Sequence, residues 1–278
     1  MQIKLIALDM DGTTLNDNHI TMTKKNRRAI SAAIAKGTTV VPATGRTYCD
    51  LPYDIKRIPG IRYVISSNGS SVIDLEKNEQ IYSNLIEVQV AVKVLDILAD
   101  YDAYGELYFG GKAYAQRHSF SRIDSSTRSL PVAFFYAKRK KVSNLSEFVR
   151  QQGKPIEKIE IVPSLSHKDE LIEHLKELPI TITTSGMNSI EITNLGANKG
   201  DALVHISQYL GIEASESMAI GDNFNDMEML SWAGLSIAVA NADDAIRNIA
   251  DFVTLKNSQS GVAHAINRFV LSNHVYTF

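Results

Sequence analysis

A single cysteine, Cys49, rules out an internal disulfide framework, so the fold has to rest on its apolar core. No stretch reaches the roughly 18 uninterrupted apolar residues that a membrane-spanning helix needs. The 29 basic residues nearly cancel the 31 acidic ones, leaving a formal charge of -2. No global field would therefore hold the chain on nucleic acid or an anionic membrane, and partners have to be argued from local sites. Internal repeats and low-complexity tracts are missing as well. The chain enters a strand-like segment with no basic, cleavable leader, which together with the lone cysteine predicts a cytoplasmic location. What is present is ordinary globular material: 278 residues, 44% apolar, suit one large domain or two of medium size.

Ile3 to Leu8 is a short apolar run that stops at an acidic, glycine-containing turn and reads as a buried strand. A helix is expected from about Thr23 to Lys36, with Ile30, Ala33 and Ile34 on one face and Gly37 at its stop. Further strands are expected at 38–42, 63–66, 218–220, 237–239 and 252–254, separated by helical segments. That alternation predicts an α/β fold with a doubly wound, mainly parallel, Rossmann-like sheet. Between about Tyr82 and Ser185 the rhythm changes to closely spaced alternating runs, including 104–109, 158–162, 180–184 and 189–193. These predict an inserted antiparallel α/β domain over 83–185, with the core built from 1–82 and 186–278.

In an open parallel sheet, ligands bind beyond the carboxyl ends of the strands, and four short motifs fall there. The first is D-M-D-G-T, Asp9 to Thr13. Asp-Gly is a common turn pair, but two carboxylates also suit chemistry in which Asp9 attacks phosphorus and Asp11 protonates the leaving oxygen. The second is A-T-G-R, where the Thr44 hydroxyl and nearby N–H groups such as that of Gly45 could hold phosphate oxygens. Thr44 reads equally as a helix N-cap, and Arg46 as a substrate contact or a surface charge. The third, N-K-G, puts Lys199 in a first helical turn, where the macrodipole disfavours a cation. Neutralising a phosphate near Asp9 would outweigh that. The fourth is G-D-N-F-N-D, in which Asn225 with Glu228 could form a capping pair and Asp226 could complement the dipole. Asp222, at the strand end itself, could meet Asp9 and complete a magnesium site.

In this order the four motifs resemble the signatures of the haloacid dehalogenase superfamily, and within it the Cof-type phosphatases. The Ser67–Gly69 element and the segments at 238–242, 250–254 and 261–263 extend the likeness along most of the chain; it is weakest across the insertion, where that family carries its specificity-determining cap. The resemblance implies a Mg2+-dependent hydrolysis of a small phosphomonoester through an aspartyl-phosphate on Asp9, with Asp11 as general acid and base. It implies a phosphate-binding set of Asp11, Gly12, Thr44, Gly45, Arg46, Asn68, Lys199 and Asn225. Metal would be held by the Asp9 and Asp222 side chains and the Asp11 carbonyl, with Asp226 supporting the metal's waters. Two departures, Asn198 for the usual serine and Ala240 for a common glycine, touch neither role. Sugar phosphates, flavin mononucleotide and pyridoxal phosphate are the substrate types implied. A phosphomutase or phosphotransferase would use the same intermediate, and a phosphate-binding regulatory module would let it persist. Asp11, whose unperturbed pKa is about 3.9, has to hold a proton when the leaving group departs, so a desolvated setting is expected for it. Tyr104, Tyr108, Phe109 and Lys112 are candidates for a substrate pocket, with simple packing the competing reading.

Overall fold

A computed structural model of the chain describes residues 2–117, 139–185 and 189–272. The chain divides into two compact units, one of residues 1–45, 51–83 and 198–278, the other of 46–50 and 84–197.

The first unit is built on an eight-stranded sheet. Numbered along the chain, its strands are β1 Leu5–Asp9, β2 Thr39–Ala43, β3 Tyr63–Ser66, β4 Ser71–Asp74, β5 Glu79–Ser83, β12 Ser217–Gly221, β13 Leu235–Ala238 and β14 Phe252–Val253. Their spatial order is β14-β13-β12-β1-β2-β3-β4-β5. Every pairing from β14 to β3 is parallel, whereas β4 and β5 are added antiparallel. β1 lies between β2 and β12, with Leu5 opposite both Thr39 and Ser217, and all five of its residues are buried. A strand covered on both faces has no solvent side to mark with polar residues, which is why it reads as a continuous apolar run.

The helices of this unit are α1 Lys24–Ala35, the single turn α2 Tyr53–Lys56, α6 Lys199–Leu210, α7 Met227–Trp232, α8 Asp244–Ile249 and α9 Gly261–Ile266. α1 begins at Thr23, whose side chain accepts from the Asn26 N–H at 3.1 Å, and buries Ala29, Ile30 and Ala33. Capping of this kind contributes about 1 kcal/mol, so most of the helix's stability comes from its buried face.

The second unit holds a six-stranded sheet: β6 Ala103–Phe109, β7 Lys112–Gln116, β8 Lys140–Val142, β9 Lys158–Pro163, β10 Ile180–Ser185 and β11 Ser189–Asn194, in the order β10-β11-β9-β6-β7-β8. Among the described residues its helices are α3 Val88–Leu98, α4 Leu145–Gln152 and α5 Lys168–Leu175. Strand alternation sorts the side chains. Leu107, Ile159, Ile161, Ile190 and Ile192 join the apolar cluster with Val94, Leu145, Val149 and Leu171. The intervening residues of β6 and β9, Tyr104, Glu106, Tyr108, Lys158 and Glu160, form a polar network instead. Arg139 grips Glu106 through two nitrogens at 2.9 and 3.0 Å and reaches Asp50 at 2.9 Å. Tyr104 donates to Glu106 at 2.7 Å, and Tyr108 donates to Glu106 and Glu160.

Two domain boundaries differ from the sequence expectation. The cut at 185/186 would separate β10 from β11, which pair antiparallel from Ile180–Asn194 to Ser185–Ser189, so the second unit runs on to 197. Residues 46–50 also belong to the second unit, because Asp50 is locked to Arg139. Of the candidate pocket residues, Phe109 packs on the apolar cluster and Tyr104 and Tyr108 are spent on Glu106, while Lys112 is exposed.

Ile6 sits fully buried in the central strand. Ile6→Ala is expected to lower the unfolding free energy by about 2–5 kcal/mol, read as a shifted urea midpoint with an unchanged slope.

Candidate active site

Asp9 is the last residue of β1 and is 5% exposed. Its Oδ1 accepts from Lys199 Nζ at 2.6 Å, whereas its Oδ2 is buried with no hydrogen-bond partner among the described residues. Burial drives the Asp9 carboxyl pKa well above its ordinary value, Asp226 adds to the rise and Lys199 opposes it. An orphaned, anionic oxygen at this depth is costly unless the site receives a cation or a proton.

Lys199 opens α6 and is fully enclosed. The Asn198 side chain caps the helix by accepting from the Asp201 N–H at 2.7 Å, so asparagine replaces the more usual serine without loss of the cap. The ammonium bridges Asp9 Oδ1 and Asp226 Oδ1 at 2.6 and 2.7 Å. Burial disfavours its charge, but Asp226 and Asp9 more than offset this and hold it protonated. Asp226 in turn accepts the N–H groups of Asp222 and Asn223 on its other oxygen, at 2.9 and 3.2 Å. Asn223 and Asp226 form the reciprocal capping pair. The expected pairing of Asn225 with Glu228 is therefore corrected by two residues.

Asp222 follows β12, and its Oδ1 accepts from the Thr13 hydroxyl at 2.5 Å. Its pKa is raised to about 6, chiefly by burial and then by Asp226. Gly12 lies against it: φ is +82°, and a Cβ there would sit 2.3 Å from Asp222 Oδ2, so only glycine fits. Ligand atoms of Asp9, Asp222 and Asp226 lie within 4.8 Å of one another. Hard carboxylate oxygens, one of them unpartnered, fit a magnesium-type cation. Asp226, already engaged through both oxygens, is better placed to brace the group than to ligate.

The loop after β3 completes the rim. Ser67, Asn68 and Gly69 all have positive φ, at 52°, 53° and 92°. Asn68 Oδ1 accepts from Asn225 Nδ2 at 3.2 Å, and the Asn68 N–H donates to the Thr44 carbonyl at 3.1 Å. Thr44 is buried at the end of β2 with no helix starting at it, so the N-cap reading fails. Gly45 ends the first unit's segment here, while Arg46 belongs to the second unit, where its Nη1 reaches the Asp50 carbonyl at 3.4 Å.

Asp11 is less desolvated than expected: about a third of its side chain is exposed, and Oδ1 lies 2.9 Å from His19 Nδ1. Sequence reasoning missed His19, Thr13 and Asn241, whose Nδ2 donates to the Gly12 carbonyl at 2.8 Å. Thr13 carried a signal as the last residue of the first motif, and Asn241 as part of the 238–242 segment; His19 carried none.

The family model for haloacid dehalogenase-like hydrolases matches residues 6–266. YxeH of Bacillus subtilis is 32% identical, over 97% of this chain and 99% of its own. The B. subtilis 5-amino-6-(5-phospho-D-ribitylamino)uracil phosphatase YcsE is 31% identical, over 98% of this chain and 97% of its own. A solved haloacid dehalogenase-like hydrolase from B. subtilis superposes with a TM-score of 0.81 at 27% identity, covering 96% of this chain and all of the other. With the buried Asp9–Lys199–Asp226 group at the carboxyl end of a mainly parallel sheet, this chain belongs to the haloacid dehalogenase-like hydrolases.

Proposed function

We propose that this chain is a Mg2+-dependent phosphatase that hydrolyses a small phosphomonoester, of sugar-phosphate, ribityl-phosphate or pyridoxal-phosphate type, through an aspartyl-phosphate on Asp9. The observation that carries this reading is the Asp9 carboxylate itself, held at one oxygen by a buried lysine and, among the described residues, without a hydrogen-bond partner at the other. YcsE, named for a ribityl phosphate substrate, supports the ribityl and sugar-phosphate end of that range. On this reading, selection of the substrate's leaving portion belongs to the second unit.

In the first step a carboxylate oxygen of Asp9 forms a bond to phosphorus as the bond to the ester oxygen breaks, and Asp11 delivers its proton to that oxygen. In the second, Asp11 takes a proton from water, the water oxygen bonds to phosphorus, and the acyl phosphate cleaves to regenerate Asp9. Lys199 offsets the repulsion between Asp9 and the incoming phosphate from a place that Asp226 fixes. Thr44, Gly45, Gly12 and Asn225 would hold phosphate oxygens. Magnesium, held by the side chains of Asp9 and Asp222 and the carbonyl of Asp11, would supply charge neutralisation during attack. Asp11 is partly exposed, which leaves it open to water for the second step.

Phosphate release from p-nitrophenyl phosphate and a panel of sugar, nucleotide and cofactor phosphates should require Mg2+ and stop with EDTA. Asp9→Asn should cut turnover by on the order of 10³-fold or more. A folded, metal-loaded wild type that turns over nothing in the panel would sink the phosphatase reading.

Magnesium affinity should weaken as pH falls through about 6, because the Asp222 proton then has to be displaced before the carboxylate can ligate. Below that pH the apparent dissociation constant should rise about tenfold per unit or more, since Asp9 is raised as well, read by titration calorimetry. A flat profile from pH 7 to 5 would overturn the coupling of metal binding to loss of a proton from Asp222.

Lys199→Met should leave Asp9 and Asp226 facing each other without their cation and cost about 3–5 kcal/mol at pH 7. The loss should shrink towards pH 5. Raised carboxyl pKa values mean that the folded state takes up protons first on acidification, so the charge that destabilises the variant disappears there. Urea titrations of both proteins at the two pH values measure it.

A further inference from the structure

We propose that His19 is a positioning residue that orients the Asp11 carboxyl for proton transfer; this rests on the reading of Asp11 as general acid and base. His19 is at the tip of a short hairpin closed by the antiparallel bridge between Leu15 and Met22. Within it the Asn16 N–H donates to the Thr21 carbonyl at 2.7 Å and the His19 N–H to the Asn16 carbonyl at 2.8 Å. Asn18 Oδ1 accepts the N–H groups of Ile20 and Thr21, each at 3.0 Å, and the amides of Asn16 and Asn18 donate to the Thr21 hydroxyl at 3.0 and 2.9 Å. So braced, the hairpin fixes the place of its tip.

At that tip His19 has a φ of +55°, a conformation that costs a bulky L-residue roughly 1–2 kcal/mol and that glycine or asparagine adopts more readily. A bulky ring is nevertheless held there, with Nδ1 2.9 Å from Asp11 Oδ1. The chemistry of the contact suits Asp11's two states. A neutral imidazole can present N–H to a carboxylate or a lone pair to the O–H of a carboxylic acid, whereas a lysine or arginine can only donate. The contact therefore persists whether Asp11 is the acid about to give its proton to the ester oxygen or the carboxylate about to take one from water. His19 itself gains and loses no net proton in the cycle.

The test compares p-nitrophenyl phosphate, whose leaving group departs without help, with phenyl phosphate, which has nearly the same shape and needs a proton on its leaving oxygen. His19→Gly keeps the left-handed backbone and removes the ring; His19→Asn also tolerates that backbone and places an amide N–H near the position of Nδ1. His19→Gly should lower kcat/KM for phenyl phosphate about tenfold more than for p-nitrophenyl phosphate, and His19→Asn should recover most of the difference. Asp11→Asn supplies the reference, with the same bias towards loss on phenyl phosphate and a larger size. If Asp11→Asn shows no such bias, the assignment of Asp11 fails and this inference fails with it. If Asp11→Asn shows the bias but His19→Gly loses equally on both substrates, or His19→Asn restores nothing, the role of Asp11 stands and that of His19 is overturned.

Discussion

The buried ammonium of Lys199 is the interaction on which the rest of the site depends. Three carboxylates, Asp9, Asp222 and Asp226, converge at the ends of β1 and β12, and an uncompensated group of that kind would repel itself strongly in a region closed to water. One cation between two of them turns the cluster from an obstacle to folding into a fixed geometry. The same contacts set the protonation states. Asp9 and Asp222 are pushed upward by burial and by Asp226, and Lys199 pulls against that rise. Asp226 takes no free oxygen to the site: one binds Lys199 and the other accepts two backbone N–H groups. Its work is to hold the lysine and the turn that presents Asp222.

The second unit follows the same rule in a different setting. Its sheet has one apolar face, and the alternate residues of β6 and β9 would strand Glu106 and Lys158 in the interior if they were unpaired. Arg139 meets Glu106 with two nitrogens and Asp50 with a third, while Lys158 lies 3.4 Å from Glu191 and 3.7 Å from Glu160. Burial disfavours the Lys158 charge, and Glu191 with Glu160 outweighs it. Buried ion pairs of this sort are weak sources of stability compared with apolar packing, but removing one partner is costly, so they tie the segment at 46–50 to this unit with high specificity.

Strands buried on both faces were the most legible elements, because an apolar run of four to six residues admits few other readings; β3 at Tyr63–Ser66 coincides with its predicted span. The antiparallel additions were not legible. β5 reads Glu79 to Ser83 and is largely exposed, so its pattern carries little apolar signal. The domain boundary slipped because β11 looks like any other strand and only its register with β10 reveals its sheet. In the site, Asp9, Lys199 and Asp222 announced themselves as charges placed where burial and the helix dipole disfavour them. His19 gave no such sign. It occupies a loop without periodicity, eight residues from its partner, and its backbone conformation leaves no mark in the sequence when the residue is not glycine.

The four motifs are scattered along the chain but act as one mechanical body, which explains why they occur together. The loop at Ser67–Gly69 holds three successive residues in the left-handed region, a local cost of a few kcal/mol that only surrounding contacts can maintain. Those contacts are the other motifs. A Cβ at Gly69 would fall 2.0 Å from the Asn198 carbonyl oxygen, so the loop is pressed on the start of the lysine helix. Asn68 reaches Thr44 through its N–H and Asn225 through its side chain. Asn225 adjoins Asp226, which returns to Lys199. A change at any one of these points is expected to disturb the others, and the Asp9 carboxylate at the end of β1 is joined to them through Lys199.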